Sequence, residues 1–230
     1  ERYGVIGCWL VRAGIHLQGY ATLHCLPKPA LALRLIRSLL QEHGCEARDL
    51  GSVPDTLEAT IEAFESAAAT ADVILTTGGM SVGEEDHIKP AVEAVGSLNV
   101  WRVRLKPGKP LAFGEVRGVP FIGCPGNPVA GFVVFLMMAR PYLLRTMGLT
   151  DIDVKPMAVR ADFDWLKPGD RQEFVRVRRN DEGGLDLYHT QNSQVLSSCA
   201  WADGLVDIPV GGTVRKGDMV SYYPFCQFFA

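Results

Sequence analysis

The 230-residue sequence has little net charge, because 23 lysine and arginine residues stand against 26 aspartate and glutamate residues and leave a formal charge of −3. Such a balance provides no global positive field, so we expect no nucleic-acid partner, no membrane partner and only local anion sites. The longest apolar run, Phe132 to Ala139, is far shorter than the roughly 20 residues of a membrane span. No basic segment followed by an apolar run opens the sequence, so no secretion signal is expected.

Paired cysteines and metal-binding spacings are also lacking. The six cysteines are scattered without a C-x-x-C pair, and the five histidines show no H-E-x-x-H spacing. Free thiols are therefore favoured over a disulfide framework or a zinc site, and a reducing cytoplasm is the expected location. Apolar residues, in contrast, make up 47% of the chain, which is enough for a large core and excludes a disordered protein.

Between about residues 31 and 149, helical and strand patterns alternate. Apolar spacing predicts helices at residues 31–43, 56–71, 88–95 and 129–147, and β-rich runs predict strands at residues 72–77, 100–105 and 120–123. This alternation is typical of an α/β domain whose mostly parallel sheet is covered on both faces. Ligands in such folds bind where strands end and helices begin, so the loops after Thr77 and Gly123 are candidate sites.

Beyond Gly148 the pattern changes. Short alternating stretches are separated by glycine, proline, aspartate and asparagine turns, and residues 181–184 (DEGG) predict a hairpin loop. The sequence therefore predicts two domains, an α/β domain at residues 1–150 and a small all-β domain at residues 151–230.

A glycine-rich segment, Thr76–Gly83 (TTGGMSVG), lies between a predicted strand and a predicted helix. Its glycines allow backbone N–H groups to face an anion such as phosphate, although the spacing is not that of a Walker loop. Glu84, Glu85 and Asp86 follow directly, and they would repel a phosphate unless a divalent cation bridged them. A tight turn followed by acidic residues that favour a helix start explains the same pattern without any ligand.

A basic segment follows at residues 101–110 (WRVRLKPGKP). On a single strand, Arg102, Arg104 and Lys106 would project from one face about 6 to 7 Å apart, with Lys109 in the next turn. Cations in such a row favour an anion ligand, and a solvated edge strand remains the alternative.

A rigid loop at residues 123–128 (GCPGNP) precedes the most apolar predicted helix. Asn127 suits the N-cap of that helix and Pro128 suits its first position. The loop either caps the helix alone or also forms a wall of a ligand pocket.

Three segments in this order and at these intervals resemble the molybdopterin molybdenumtransferase (molybdenum insertase) family: residues 77–86, 105–114 and 123–129. Residues 53–55 fit too, and the resemblance continues more loosely through residues 169–176 and 191–193. It implies a three-layer α/β/α molybdopterin-binding domain followed by a small barrel-like β domain. It also implies a transferase of molybdenum cofactor biosynthesis, which inserts molybdenum from molybdate into adenylylated molybdopterin, releases AMP and uses Mg²⁺.

The resemblance assigns roles position by position. It implies catalytic roles for Asp55, Asp86 and Lys106, with Asp86 also a metal ligand. It further implies substrate-binding positions at Gly78, Gly79, Ser81, Gly83, Arg102, Lys109, Pro125, Gly126, Asn127, Pro128, Arg171, Arg176 and Ser193. Homodimerisation and an adenylyltransferase partner are implied as well.

The match departs from the family near residues 5–11 (VIGCWLV), where the family has a Thr-Gly-Asp-Glu-Leu loop with an implicated glutamate and this chain has no acid. Either the site is impaired or the segment reflects an altered reading frame. The family's two N-terminal domains have no counterpart in these residues. Two alternatives therefore stand beside the insertase: a related molybdopterin adenylyltransferase, against which the β-rich tail argues, and a non-catalytic molybdopterin-binding module.

Overall fold

The structure is a computed structural model that describes residues 6–12, 29–78 and 87–229. The chain divides into two compact units. The first consists of Glu1–Val103 and Gly108–Thr150, and the second consists of Arg104–Pro107 and Asp151–Ala230. The second unit is thus built from two separate stretches of sequence.

The first unit contains a six-stranded sheet in the order β2-β1-β3-β7-β6-β4. Its strands are β1 (Ile6–Arg12), β2 (Glu46–Val53), β3 (Val73–Thr77), β4 (Gly96–Trp101), β6 (Ala112–Val116) and β7 (Val119–Cys124). The prediction of an α/β domain is confirmed, but the expectation of a mostly parallel sheet is wrong at the level of pairing. Of five neighbouring pairs, only β3 and β7 run parallel.

The pairing differs from the expectation for two physical reasons. Strand β1 lies between β2 and β3 and runs against both, and β6 forms a hairpin with β7 through Arg117 and Gly118, whose positive φ angles suit a two-residue turn. Four strands nevertheless run in the same direction, namely β2, β3, β4 and β7. Their carboxyl ends therefore lie at one edge of the sheet.

Helices cover both faces of this sheet. They are α1 (Pro29–Glu42), α2 (Leu57–Ala68), α3 (Ile88–Val95), and a continuous helical segment formed by α4 (Pro128–Val134), a π-helical turn (Phe135–Ala139) and α5 (Arg140–Thr146). All five residues of β3 are buried, as a strand with two covered faces requires. In the core Phe64 meets Phe121 edge to face, with ring centroids 5.4 Å apart.

The helical segment Pro128–Thr146 is long and apolar enough to cross a membrane by length and composition alone, and 67% of its most apolar window is buried inside the structure. Every residue of α4 is buried. This burial is that of a core helix, because an apolar surface already packed against protein does not need lipid.

The second unit contains strands β5 (Leu105–Lys106), β8 (Met157–Arg160), β9 (Gln172–Arg179), β10 (Leu185–Leu187), β11 (Gly204–Ile208) and β12 (Met219–Pro224), with a short helix α6 (Ser197–Trp201). Their order is β10-β9-β11-β12-β8, and β5 pairs with β9. The predicted β domain and its hairpin at residues 181–184 are confirmed, since Leu185 pairs with Arg179. The chain after β8 meets β10 at one isolated bridge, so the sheet curls, but the described residues form no closed barrel.

The basic segment is not one strand, which corrects the prediction for residues 100–105. Strand β4 ends at Trp101, Arg102 has a positive φ of 82°, and pairing resumes only at Leu105 in the second unit. Arg102 and Lys109 therefore belong to the first unit, while Arg104 and Lys106 belong to the second. Arg102, Arg104 and Lys106 therefore do not project from one strand face, because the left-handed backbone at Arg102 interrupts the extended conformation.

A tight contact inside the second unit predicts a large loss of stability. A Cβ added at Gly204 would lie 2.3 Å from Tyr222 Cε2 and 2.5 Å from the backbone oxygen of Tyr223. Tyr222 cannot swing away, because its hydroxyl donates to the carboxylate of Asp203 at 2.7 Å. We expect Gly204→Ala to lower the free energy of unfolding of this unit by about 2–3 kcal/mol in urea titrations, the usual cost of overpacking.

Gly211→Ala is the matched control. Nothing lies within 4 Å of its added Cβ, and only its positive φ of 74° opposes the substitution. We expect a loss of about 1 kcal/mol there. Equal losses for the two variants would contradict the steric explanation.

Candidate functional site

The first candidate site lies at the edge where β3 and β7 end. Thr77 pairs with Cys124 in the parallel ladder, and the Gly78 N–H donates to the Cys124 carbonyl at 3.1 Å. Gly78 then turns away with a φ of 88°, a conformation that favours glycine. The loops after the two strands are thereby held against each other.

Two further contacts fix these loops. The Thr77 hydroxyl donates to the Pro125 carbonyl at 3.2 Å. A Cβ added at Gly126 would lie 3.2 Å from Gly78 Cα, so the two backbones approach closely here and a side chain at position 126 would press on the Gly78 backbone. Thr76 Oγ1 is buried and has no hydrogen-bond partner among the described residues. This edge of the sheet thus combines a rigid backbone turn with one unpaired polar atom.

The rigid loop precedes α4 as the sequence predicted. Asn127 occupies the N-cap and Pro128 the first helical position, but the Asn127 side chain makes no capping hydrogen bond. Its carbonyl accepts the first helical bond from Gly131 N–H at 2.8 Å. Pro125 and Pro128 are buried and the Asn127 side chain is exposed, which leaves its amide available to a ligand.

Several predicted residues lie outside the described residues. These are Gly79, Ser81, Gly83 and Asp86, together with Glu84 and Glu85. Asp55 is described: it is half-buried and follows β2, whose end lies at the same sheet edge. Val53 pairs with Ile6 and Thr77 pairs with Gly7, so only β1 separates the ends of β2 and β3. Asp55 therefore lies about two strand spacings, roughly 10 Å, from the end of β3.

Arg102 also lies near this edge, and the carbonyl of Lys109 accepts a hydrogen bond from Val103 N–H at 3.1 Å. One row of paired residues crosses four neighbouring strands: Trp101 in β4, Ala112 in β6, Gly123 in β7 and Thr76 in β3. Arg102 directly follows Trp101, so it leaves β4 at the same edge at which β3 and β7 end. Its left-handed backbone is held by a hydrogen bond from its N–H to the Leu111 carbonyl at 2.8 Å. Both cations are exposed. Strain at an exposed arginine is typical of a functional position.

Lys106 lies in the second unit and is not a free cation. Its ammonium is 2.9 Å from Glu173 Oε2, and the Glu173 side chain is only 7% exposed against 42% for the lysine. The Trp165 ring centroid lies 5.8 Å from the same nitrogen. A lysine predicted from sequence to face an anion already contacts a carboxylate.

Arg176 in β9 is the most deeply buried cation described, with 1% of the residue exposed. Its Nε donates to the Ser198 hydroxyl at 3.2 Å and its Nη2 to the Asn192 carbonyl at 3.4 Å. The described residues place no carboxylate within salt-bridge distance of it. Burial lowers its pKa from the ordinary value, so its charge costs free energy that an anion ligand would recover.

Gln191 fixes the backbone at this arginine. Its side-chain oxygen accepts from the Arg176 N–H at 2.9 Å, and its amide donates to the Arg176 carbonyl at 3.2 Å. The segment Gln191–Ser193 singled out from the sequence is thus brought to Arg176, whereas Arg171 is drawn to Asp170 at 3.5 Å. The supporting role of Ser198 was missed, because nothing in its sequence neighbourhood indicates a contact 22 residues away.

A metal centre is not assembled within the described part of the chain. No group of three or more histidine, cysteine, aspartate or glutamate side chains there is arranged to hold a metal ion. The carboxylates that suit Mg²⁺ best by sequence, Glu84 to Asp86, lie outside the described residues. Cys45, Cys124, Cys199 and Cys226 are free thiols.

Two family models match this chain. Residues 32–145 match a probable molybdopterin binding domain. Residues 158–225 match the MoeA C-terminal region, domain IV. Together they account for most of both compact units.

Known proteins agree with these matches. A molybdopterin molybdenumtransferase of Haemophilus influenzae is 33% identical over 196 residues, which is 83% of this chain and 48% of that protein. One from Nostoc is 27% identical over 191 residues, 81% of this chain and 39% of that protein. The chain thus spans about half the length, or less, of these curated relatives.

The fold recurs in a solved structure. A molybdenum cofactor biosynthesis protein of Pyrococcus furiosus superposes with a TM-score of 0.67 at 23% identity, covering 84% of this chain and 64% of that one.

Residues 79–83 have the G-x-S-x-G spacing of a serine hydrolase elbow. They fall inside the molybdopterin binding domain match, so this spacing alone supports no hydrolase function.

Proposed function

Because this chain belongs to the molybdopterin molybdenumtransferase family and matches its C-terminal portion, we propose that it inserts molybdenum from molybdate into adenylylated molybdopterin with release of AMP. We further propose that residues 1–150 form the molybdopterin-binding domain and residues 151–230 the C-terminal β domain.

The observation that carries this proposal is the sheet edge of the first unit. There the Gly78 turn contacts the Pro125–Pro128 loop, and Arg102 follows the carboxyl end of β4 on the same edge, two strands beyond β7. Backbone donors and exposed cations at such an edge suit a phosphate-bearing ligand. Asp55 at the same edge is proposed as a catalytic residue, and Gly79, Ser81 and Gly83 are proposed to complete the phosphate loop.

The buried Arg176 supports the oxyanion half of the proposal. A guanidinium without a carboxylate partner in a dry environment binds a tetrahedral oxyanion more strongly than an exposed one does. We propose that Arg176, Arg171, Ser193 and Lys106 of the second unit contribute to molybdate binding. Lys109 of the first unit is proposed separately as a substrate-binding residue.

Magnesium is part of the proposal. Carboxylates next to a phosphate loop repel the substrate unless a divalent cation neutralises them, and we propose Asp86 as a ligand. When bound, the ion would stabilise charge on the phosphoanhydride as it is cleaved.

The test is single-turnover chemistry with the purified chain. We expect AMP release from adenylylated molybdopterin that depends on molybdate, and that falls at least tenfold when Mg²⁺ is chelated with EDTA and returns when it is restored. Molybdate-independent release would point to a hydrolase, and tight substrate binding with no release would contradict the insertase.

A non-catalytic binding module is the second candidate, favoured by one observation. Residues 5–11 carry no acid where the family has a glutamate. Binding of adenylylated molybdopterin without AMP release is the outcome that this candidate predicts. An adenylyltransferase is not favoured, because the match at residues 158–225 belongs to the C-terminal region of molybdenumtransferases.

We also propose a cytoplasmic location, a homodimer and an adenylyltransferase partner. The free thiols support the location, since disulfides are rare in reducing compartments. The dimer and the partner follow from the family alone. Light scattering of the purified chain at several concentrations tests the dimer.

A further inference from the structure

The ion pair between Lys106 and Glu173 is built into the second unit. The two residues are direct partners in the parallel ladder between β5 and β9, and their charged atoms lie 2.9 Å apart. The Glu173 side chain is buried, whereas the Lys106 side chain is partly exposed to solvent. The pair therefore presents one face of the ammonium outward.

The chain makes room for this carboxylate. A Cβ added at Gly169 would lie 2.2 Å from Glu173 Oε1. Gly169 cannot shift easily, because its carbonyl accepts a hydrogen bond from Gly211 N–H at 2.9 Å. The site is thus shaped to hold a carboxylate, and a buried carboxylate left without its cation is strongly unfavourable.

An ammonium has three donors. One points at Glu173, and the exposed part of the side chain leaves the others available to an anion from solvent. Glu173 has two opposite effects on such an anion: it holds the lysine in place, which helps binding, and it adds a negative charge nearby, which weakens binding.

We propose that Glu173 is a positioning residue that holds Lys106 in place and limits how tightly the site binds an oxyanion. This inference rests on the proposed role of Lys106 in oxyanion binding. An anion that is a substrate must also leave the site during turnover, and ground-state affinity beyond that need gives no faster reaction. A glutamine at position 173 can still accept a hydrogen bond from the Lys106 ammonium, so the lysine stays in place while the repulsion of the anion disappears.

Isothermal titration of the full chain with molybdate tests the proposal. We expect Glu173→Gln to tighten binding about fivefold, as removal of one unit of nearby like charge does at a partly exposed site. Glu173→Ala should gain less than Glu173→Gln, because it also releases the lysine. Unchanged or weaker binding in Glu173→Gln overturns the proposal.

Glu182→Gln is the matched control. Glu182 is exposed on the hairpin loop of the same unit and forms no salt bridge with any described residue. We expect unchanged molybdate binding. A gain equal to that of Glu173→Gln would mean that net charge alone acts, and would overturn the proposal.

A double variant shows whether the effect passes through the lysine. We expect Lys106→Met to remove the gain of Glu173→Gln, and a gain that persists overturns the proposal. Lys106→Met alone leaves the buried carboxylate of Glu173 without its cation, so the thermal unfolding midpoint of this variant should fall. The midpoint should recover in the double variant, because glutamine at position 173 carries no charge. The AMP-release assay distinguishes failure of this inference from failure of the insertase proposal. Tighter molybdate binding in Glu173→Gln without AMP release by the chain supports this inference and contradicts the proposed reaction. AMP release without tighter molybdate binding in Glu173→Gln supports the reaction and contradicts this inference.

Discussion

Replacing Arg176 with methionine is expected to weaken oxyanion binding about 50-fold while the second unit stays folded. The loss follows from removing charge-assisted hydrogen bonds, which contribute about 1.5–3 kcal/mol each, where 1.4 kcal/mol corresponds to tenfold in affinity. Titration calorimetry with molybdate measures the loss. Stability should change by less than about 1 kcal/mol, because the guanidinium is buried without a carboxylate partner among the described residues and a similar apolar chain avoids its desolvation cost.

Arg176→Lys separates charge from geometry. Lysine keeps the positive charge but cannot present two parallel N–H donors, so we expect it to recover only part of the affinity. Arg178→Met is the matched control, since Arg178 is an exposed arginine on the same strand that stacks on the Trp201 ring. Unchanged molybdate binding in Arg176→Met, or an equal loss in Arg178→Met, would remove Arg176 from the oxyanion site.

Alkaline pH is expected to destabilise the first unit steeply. Burial raises the pKa of Cys45 from 9.0 to about 11 and that of Cys124 to about 12. A thiol whose pKa is higher in the folded state than in the unfolded state stabilises the fold fully at pH values below its unfolded-state pKa. This stabilisation is lost as the pH rises toward the folded-state pKa, because the unfolded chain releases the thiol protons first. Between pH 9 and 11 we expect the free energy of unfolding to fall by up to about 1.4 kcal/mol per pH unit for each thiol.

Urea titrations at several pH values measure this slope. Cys124→Ala removes one of the two buried thiols that the structure describes in this unit, and should reduce the slope by up to about 1.4 kcal/mol per pH unit. Cys226→Ala removes an exposed thiol and should leave the slope unchanged. A slope that Cys124→Ala does not alter would exclude the buried thiols as its cause.

The sequence allowed the order of elements to be predicted because local signals coincide with them. Apolar spacing and glycine or proline boundaries mark α1 to α4 and β3, and Thr56 caps α2 by accepting from Ala59 N–H. Strand neighbours were not predictable, since insertion of β1 between β2 and β3 depends on contacts distant in sequence. Strands β6 and β11 were missed, because short strands carry little periodicity of their own.

The candidate site was predictable only where motifs supply it. The Gly78 turn and the Pro125–Pro128 loop were found from sequence and do meet. The basic segment was misjudged, because an expected strand geometry put Arg102 and Lys106 on one face, whereas Arg102 has a left-handed backbone. Glu173 was not recognised as the partner of Lys106, since 67 positions separate them and only the β5–β9 ladder brings them together.

That ladder means the second unit is discontinuous in sequence. A fragment beginning at Asp151 would lack Arg104–Pro107, so the backbone of β9 would lose a partner strand and the carboxylate of Glu173 would be buried without a counter-ion. On a ribosome, these four residues emerge long before the strand with which they pair. Completion of this unit therefore waits for the C-terminal third of the chain, and cleavage at the apparent junction near residue 150 does not yield an intact module.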